Sequence, residues 1–324
     1  MTGLLRNIRP ETEKIDLIMG QDLSAAIDNP LLSEVIKYAV FNGGKRIRPL
    51  LTILSAGLEG CNSPDLYRLA LTFEYLHAAS LLHDDVIDHA DERRGRKAAN
   101  KVWSNTHVIL AGDFLHSHAM RLAGTVGGIS CLKVICRATA AMVESEFLQL
   151  QNAEKRETAE SYYFAVLRGK TAALIAAACE TGAIFADSTR DKKQALALFG
   201  TNLGLAFQII DDLLDYLGDE AKTGKAVGND FQEGKMTLPL LYALRGDSND
   251  SRELKELLAN TAADRNSYFT RARDIISITG GFTAARQRAV SLIDEALAAL
   301  NIFPDSSAKD TLHALAHYVL ERDK

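Results

Sequence analysis

Apolar residues recur at three- and four-residue spacing along almost the whole chain, the period of a buried or amphipathic α-helix. The spacing predicts helices over residues 66–82, 106–122, 132–152, 171–186 and 195–217, each apolar enough to belong to a core. Residues 252–262, 267–279, 283–300 and 308–321 keep the same period with a more polar face. The stops are legible too. Gly43-Gly44 separates two helices, and Pro49 falls in the first turn of the second, where a missing N–H does no harm. Asn62-Ser63-Pro64 and Pro304-Asp305-Ser306 are cap-and-start signals. No stretch alternates with a strand's period, and no glycine pattern of a nucleotide-binding loop occurs. Two charged segments interrupt the helical text: 89–101, HADERRGRKAANK, and 218–235, GDEAKTGKAVGNDFQEGK. Neither is long enough to separate two domains. The pattern therefore predicts one all-α domain, 1–324, of ten or more helices.

Composition sharpens this. There are six prolines, none between Pro64 and Pro239, and proline is expelled from helix interiors. Lys+Arg number 37 against 42 Asp+Glu, a net charge of -5, which argues against a dedicated nucleic-acid binder. No apolar run of 18 or more residues marks a transmembrane helix. The start, MTGLLRNIRPETEKID, lacks the apolar centre of a signal peptide, so the cytoplasm is the expected compartment. Cys61, Cys131, Cys136 and Cys179 form no C-x-x-C pair and read as small hydrophobes.

The chemistry lies in a duplicated pattern. Asp84, Asp85 and Asp88 form DDVID after the apolar run ASLLH; Asp211, Asp212 and Asp215 form DDLLD after LAFQII. On a helix the first and third aspartates of each set are neighbours across one turn. Carboxylates so placed repel each other at an apolar helix end unless cations compensate. Hard oxygen ligands of this kind suit Mg²⁺, which takes a few carboxylates together with phosphate oxygens and water. One such motif alone is as well explained by a solvated helix end; two, each closing an apolar helix, are not. Cations accompany them: Lys45, Arg46 and Arg48 beside the glycine pair, Arg93 and Arg94 after the first set, Lys170 in GKTAAL, and Lys225 and Lys235 after the second. That alternation suits phosphates held through metal on one side and Arg/Lys on the other.

GGKRIRPLL, LLHDDVIDHADERRG, GKTAAL, FQIIDDLLDY and GNDFQEGKMTLP resemble, in order, the motifs of the trans-polyprenyl (isoprenyl) diphosphate synthases. The resemblance runs from about residue 35 to the C-terminus. It implies the isoprenoid synthase fold around a deep central cavity, a homodimer, and Mg²⁺-dependent head-to-tail condensation of isopentenyl diphosphate with an allylic diphosphate. It also implies that Asp84, Asp85, Asp88, Asp211, Asp212 and Asp215 bind Mg²⁺, three ions per loaded site. By the same resemblance Arg93, Lys170, Lys225 and Lys235 contact the allylic diphosphate. Lys45, Arg48, His77 and Arg94 form the isopentenyl diphosphate pocket, and Thr171 and Gln208 stabilise the developing cation. The catalytic set so implied is Asp84, Asp85, Asp88, Asp211, Asp212, Lys170 and Lys235. Segment 218–235 is the candidate lid.

Product length is read at Ala79 and Ser80, roughly 6–7.5 Å below Asp84 along the helix. Short-chain members commonly carry an aromatic there; two small side chains leave the path open. The expected product is therefore longer than geranylgeranyl, and the motif text is most similar to bacterial octaprenyl-type synthases that make quinone side chains. Tyr75, His116 and Met120 are the candidates for a deeper floor, His116 and Met120 sharing a helix face at i and i+4. A short-chain synthase, a class I terpene cyclase and a non-catalytic subunit are the alternatives. No basic amphipathic helix marks more than peripheral membrane contact.

Overall fold

The computed structural model describes residues 2–155, 158–218 and 227–322. The chain is almost entirely helical: α1 (Thr2–Ala26), α2 (Pro30–Val40), α3 (Ile47–Gly57), α4 (Pro64–Ile87), α5 (Asn105–Thr125), α6 (Gly128–Lys155), α7 (Glu160–Leu167), α8 (Ala173–Phe185) and α9 (Arg190–Leu217). The second charged segment holds α10 (Asn229–Glu233), and after it come α11 (Leu238–Ala243), α12 (Asn249–Ala259), α13 (Ala262–Ile278), α14 (Gly281–Ala299) and α15 (Ser307–Glu321). The expectation of an all-α fold with ten or more helices is met.

Side-chain caps open several helices, and those at Ser63 and Ser306 fall at the signals read from sequence. Asn29 Oδ1 accepts from the Leu32 N–H at 3.1 Å, ahead of Pro30 in the first turn of α2. Ser63 and Ser306 cap α4 and α15. Two features depart from the sequence reading. α1 continues across Pro10, although an interior proline removes a backbone bond. The segment 89–101 contains a two-residue hairpin, Glu92–Arg93 paired with Arg96–Lys97. Its turn residues, Arg94 and Gly95, both have positive φ, as the tight right-twisted hairpin turn requires.

α4 is the hub. It is buried on nearly all sides and packs most extensively against α5. α9 packs against α8 and α14, and α3 against α8. One core cluster runs from Ile8 to Val319. A smaller one, built on Tyr216, Phe231, Ile275 and Ile276, lies under α10–α13 and supports the chain just after the second aspartate set. α9 is long and apolar enough by composition to cross a membrane, but 67% of its most apolar window is buried in this fold.

Between α7 and α8 the helix widens into a π turn, Arg168–Ala172. α9 meets it at close range. A Cβ on Gly204 would lie 2.7 Å from the Ala172 Cα, and one on Gly200 would lie 2.6 Å from the Ala176 Cα. Both obstacles are backbone, which cannot swing aside. Gly204→Ala is therefore expected to destabilise the protein by about 1–3 kcal/mol despite alanine's better helix propensity. It should also lower turnover by moving the π turn off α9. Urea unfolding and steady-state rates on the same preparation check both.

Candidate active site

The two aspartate sets end α4 and α9, and the π turn stands between them. In the first set, Asp84 and Asp88 lie one turn apart, with the Asp88 N–H bonded to the Asp84 carbonyl at 2.8 Å. The Asp84 carboxyl is pushed up to about 6. Burial is the main cause; Lys170 pulls it down, and Glu146 and Asp88 push it further up. Asp85, on a different face, is buried: its Oδ1 accepts from Arg93 Nε at 2.5 Å, and its carbonyl accepts from Asn100 Nδ2 at 2.8 Å. Asp85 thus anchors the hairpin and its arginine to α4.

In the second set Asp212 is the buried member. Its Oδ2 accepts from the Tyr163 hydroxyl at 2.7 Å and its Oδ1 from Gln208 Nε2 at 3.1 Å. Gln208 Oε1 accepts in turn from Thr171 Oγ1 at 3.0 Å. Burial, then Asp230, raise the Asp212 carboxyl well above the usual range. Asp215 is pushed up to about 6, by burial first and then by Asp230, whose N–H donates to Asp215 Oδ2 at 3.0 Å. Asp211 is more open, and its Oδ1 accepts from Arg322 Nη2 at 2.8 Å.

Lys170 joins the two halves. Its Nζ reaches Glu146 Oε1 at 2.8 Å and Gln149 Oε1 at 3.1 Å, both on α6, while its charge acts on Asp84. The adjacent Thr171 faces Gln208. Lys235 is turned toward Glu233 Oε2 at 2.7 Å and Asp230 Oδ1 at 3.3 Å. Lys225 lies outside the described residues, as does the middle of the candidate lid.

The cation pocket forms behind the first set. Lys45 Nζ donates to the Tyr318 hydroxyl at 2.6 Å. Arg94 Nη1 donates to the carbonyls of Asn42 and Gly43. The Arg48 Nε is buried with no partner, a donor awaiting an acceptor. Burial, then Arg48 and Arg94, depress His77 well below its ordinary value, so the imidazole is neutral at pH 7. Arg46 has another task. It is 4% exposed, and its guanidinium is spent on Glu74 Oε1 at 2.7 Å and Asp16 Oδ1 at 2.6 Å. It ties α1 and α4 to the loop that presents its neighbours.

The chain-length positions scatter. Ala79 is buried, and Ser80 is half-buried with its Oγ donating to the His77 carbonyl at 2.9 Å. Met120 is half-buried beside Cys136 of α6, whereas His116 is exposed. In the single chain, therefore, His116 and Met120 do not present one buried face. Tyr75 is fully buried and donates to Asp22 Oδ2 at 2.8 Å, tying α4 to α1.

Several partners escape a sequence reading: Tyr163, Glu146, Gln149, Glu74, Tyr318 and Arg322. Each reaches its partner across a long stretch of chain and carries no local spacing signal. Asp230 is different: it stands in GNDFQEGK and was readable as a seventh carboxylate.

Two carboxylate sets beside a cation cluster, carried on an all-α core, define an enzyme that works on anionic groups. The polyprenyl synthetase family model matches residues 29–275. The octaprenyl diphosphate synthase of Escherichia coli (strain K12) is 36% identical over 96% of this chain and 99% of that protein. A decaprenyl diphosphate synthase from Rhodobacter capsulatus superposes with a TM-score of 0.88 and 36% identity, covering 99% of this chain and 98% of the other. A polyprenyl synthase from Caulobacter crescentus CB15, complexed with calcium and isoprenyl diphosphate, gives 0.88 and 35% over 99% and 97%. This chain belongs to the polyprenyl synthetase family and is a trans-prenyltransferase with the isoprenoid synthase fold.

Proposed function

We propose that the chain condenses isopentenyl diphosphate with an allylic diphosphate, head to tail, to make a long-chain all-trans polyprenyl diphosphate of octaprenyl type for quinone side chains. The observation that carries this is the placing of Lys170 and Thr171 between the two aspartate sets, with the Arg48–His77–Arg94 pocket alongside. The octaprenyl and decaprenyl relatives support the long product, as do the small side chains of Ala79 and Ser80.

The donor set fits Mg²⁺. Asp84, Asp212 and Asp215 are all raised by burial and by neighbouring acids, and Lys170 and Arg93 near Asp84 and Lys235 near Asp215 do not offset this. Among the described residues no three acidic, His or Cys side chains form a ready cage. Mg²⁺ typically takes one or two carboxylates and completes its shell with substrate phosphate and water. Asp84, Asp88, Asp211, Asp212 and Asp215 would hold it, up to three ions in a loaded site, with Asp85 orienting Arg93. Bound there, Mg²⁺ would supply positive charge against the leaving diphosphate.

The chain's own groups do the rest. Arg93, Lys170 and Lys235 act where negative charge accumulates as the allylic C–O bond breaks. Thr171 and Gln208 turn oxygen atoms toward the allylic cation. Arg48, Arg94 and Lys45 hold the second diphosphate, and neutral His77 donates a hydrogen bond without adding charge. The double bond of isopentenyl diphosphate then attacks the cation, and the departing diphosphate takes the proton lost. The water that would quench the cation has to be excluded from the site.

The chain is further proposed to work as a single domain, as a cytoplasmic homodimer with at most peripheral membrane contact. Support for the dimer comes from α6, where Ile129, Cys136, Ala140, Val143, Phe147 and Leu150 are exposed at heptad-like spacing, beside exposed Ile109 and Leu110 of α5.

Incubating the purified chain with Mg²⁺, farnesyl diphosphate and labelled isopentenyl diphosphate, then sizing the products, tests the reading. Products beyond geranylgeranyl are expected. Arrest at or below that length would make this a short-chain synthase; inactivity of the chain alone would favour a non-catalytic subunit.

A further inference from the structure

The last turn of the chain reaches into the site. Tyr318 lies in the last turn of α15, and Arg322, four residues on, is the residue that caps its C-terminal end. Tyr318 holds Lys45, and Arg322 holds Asp211. One helix end therefore touches both the cation pocket and the second aspartate set.

The Arg322 contact is incompletely satisfied. Its guanidinium lies 4.3 Å from the Phe207 ring centroid, one turn before Asp211 on α9, and its side chain is only 10% exposed. Of its donors, Nη2 serves Asp211, while Nε and Nη1 are buried with no partner. Buried, unpartnered donors are costly, typically about 1–3 kcal/mol each. An arginine held this way is not in its most favourable arrangement, and a competing cation would find it easy to dislodge.

We propose that Arg322 is a positioning residue for the second aspartate set. It occupies Asp211 in the ligand-free enzyme, keeps that carboxylate turned into the site, and yields it when a divalent cation binds. Loading of the second set and release of the chain's last turn are then one event. The α15 end reports metal occupancy to the pocket that Tyr318 and Lys45 share. This rests on the reading of Asp211 as a cation ligand, and the test separates the two.

Mn²⁺ binding to the substrate-free enzyme is measured by calorimetry for the wild type, Arg322→Gln, Arg322→Lys and Asp211→Asn. With its competitor removed, Arg322→Gln should bind about three- to tenfold more tightly, and Arg322→Lys should stay near the wild type. Hydrogen exchange supplies a readout that simple loss of a positive charge would not move. In the wild type, Mn²⁺ should speed exchange at the amides of residues 318–322, and in Asp211→Asn it should not. Equal affinity of wild type and Arg322→Gln, or metal-independent exchange at the C-terminus, overturns the proposal while leaving Asp211 a ligand. Full-strength Mn²⁺ binding by Asp211→Asn overturns both.

Discussion

Asp84→Asn should lower turnover by about 10³-fold or more while making the metal-free protein more stable. The loss follows from position. Asp84 shares a face with Asp88 and lies within the influence of Lys170 and Arg93, so its charge is the link between the first set and the cations opposite. The stability gain follows from its raised carboxyl, pushed up to about 6 from an ordinary 3.8. A carboxyl raised on folding destabilises the fold wherever it must ionise. That penalty is fully present above about pH 6 and fades as pH falls toward 3.8. Asparagine removes it. Without divalent cations the variant should therefore melt a few degrees higher near pH 7.5, with the advantage shrinking steadily below pH 6. Calorimetry across that range and product assays at saturating Mg²⁺ measure the two halves. A variant that is inactive and also less stable at high pH would mean Asp84 is adequately paired without metal. The general point is that this carboxylate is kept at a loss to the fold, as functional carboxylates often are.

The second large effect is on the product. Ala79→Tyr should cut the distribution from long-chain to short-chain polyprenyl diphosphates. Ala79 is five residues before Asp84, about 7.5 Å along α4, so an added ring would stand where the first condensed units pass. Because Ala79 is 3% exposed, the ring also has to displace neighbours, at a cost of about 1–3 kcal/mol. Both outcomes are read from one sample, by chromatography of the products and by thermal melting. Lost stability with an unchanged product would place Ala79 in the protein core, off the path of the growing chain.

Local spacing carried most of the fold and half of the site. The helical period located α4, α5, α6, α8, α9 and α12–α15, because burial of one face writes itself into three- and four-residue intervals. α4 runs beyond its apolar window to Ile87 because the aspartates that end the hydrophobic pattern are themselves helical. α1 was illegible as a helix across Pro10, where core contacts at Ile8, Ile15 and Met19 override the local penalty. The three cations at 45, 46 and 48 look equivalent in sequence. Only burial shows that Arg46 is consumed by Glu74 and Asp16 while Arg48 keeps a free donor. The Arg322–Asp211 and Lys45–Tyr318 pairs span 111 and 273 residues, and nothing in the local text announces them. The exposure of His116 in the single chain is hidden for a related reason: periodicity says which residues share a face, not which face turns inward.

The π turn has a consequence for register. In an uninterrupted α-helix, Tyr163 and Thr171 would point about 80° apart, being eight residues distant at 100° per residue. A π turn absorbs one residue, which brings the two to within about 20° of each other. Both then address α9, Tyr163 at Asp212 and Thr171 at Gln208, one turn apart on that helix. Gly169 allows the widened turn to press against α6, where a Cβ would lie 2.5 Å from the Ala141 carbonyl oxygen. Segment 168–172 thus works as a one-residue phase shift. Winding that segment back into a regular α-helix at unchanged length would leave every functional side chain in the sequence and still turn half of them away from their partners.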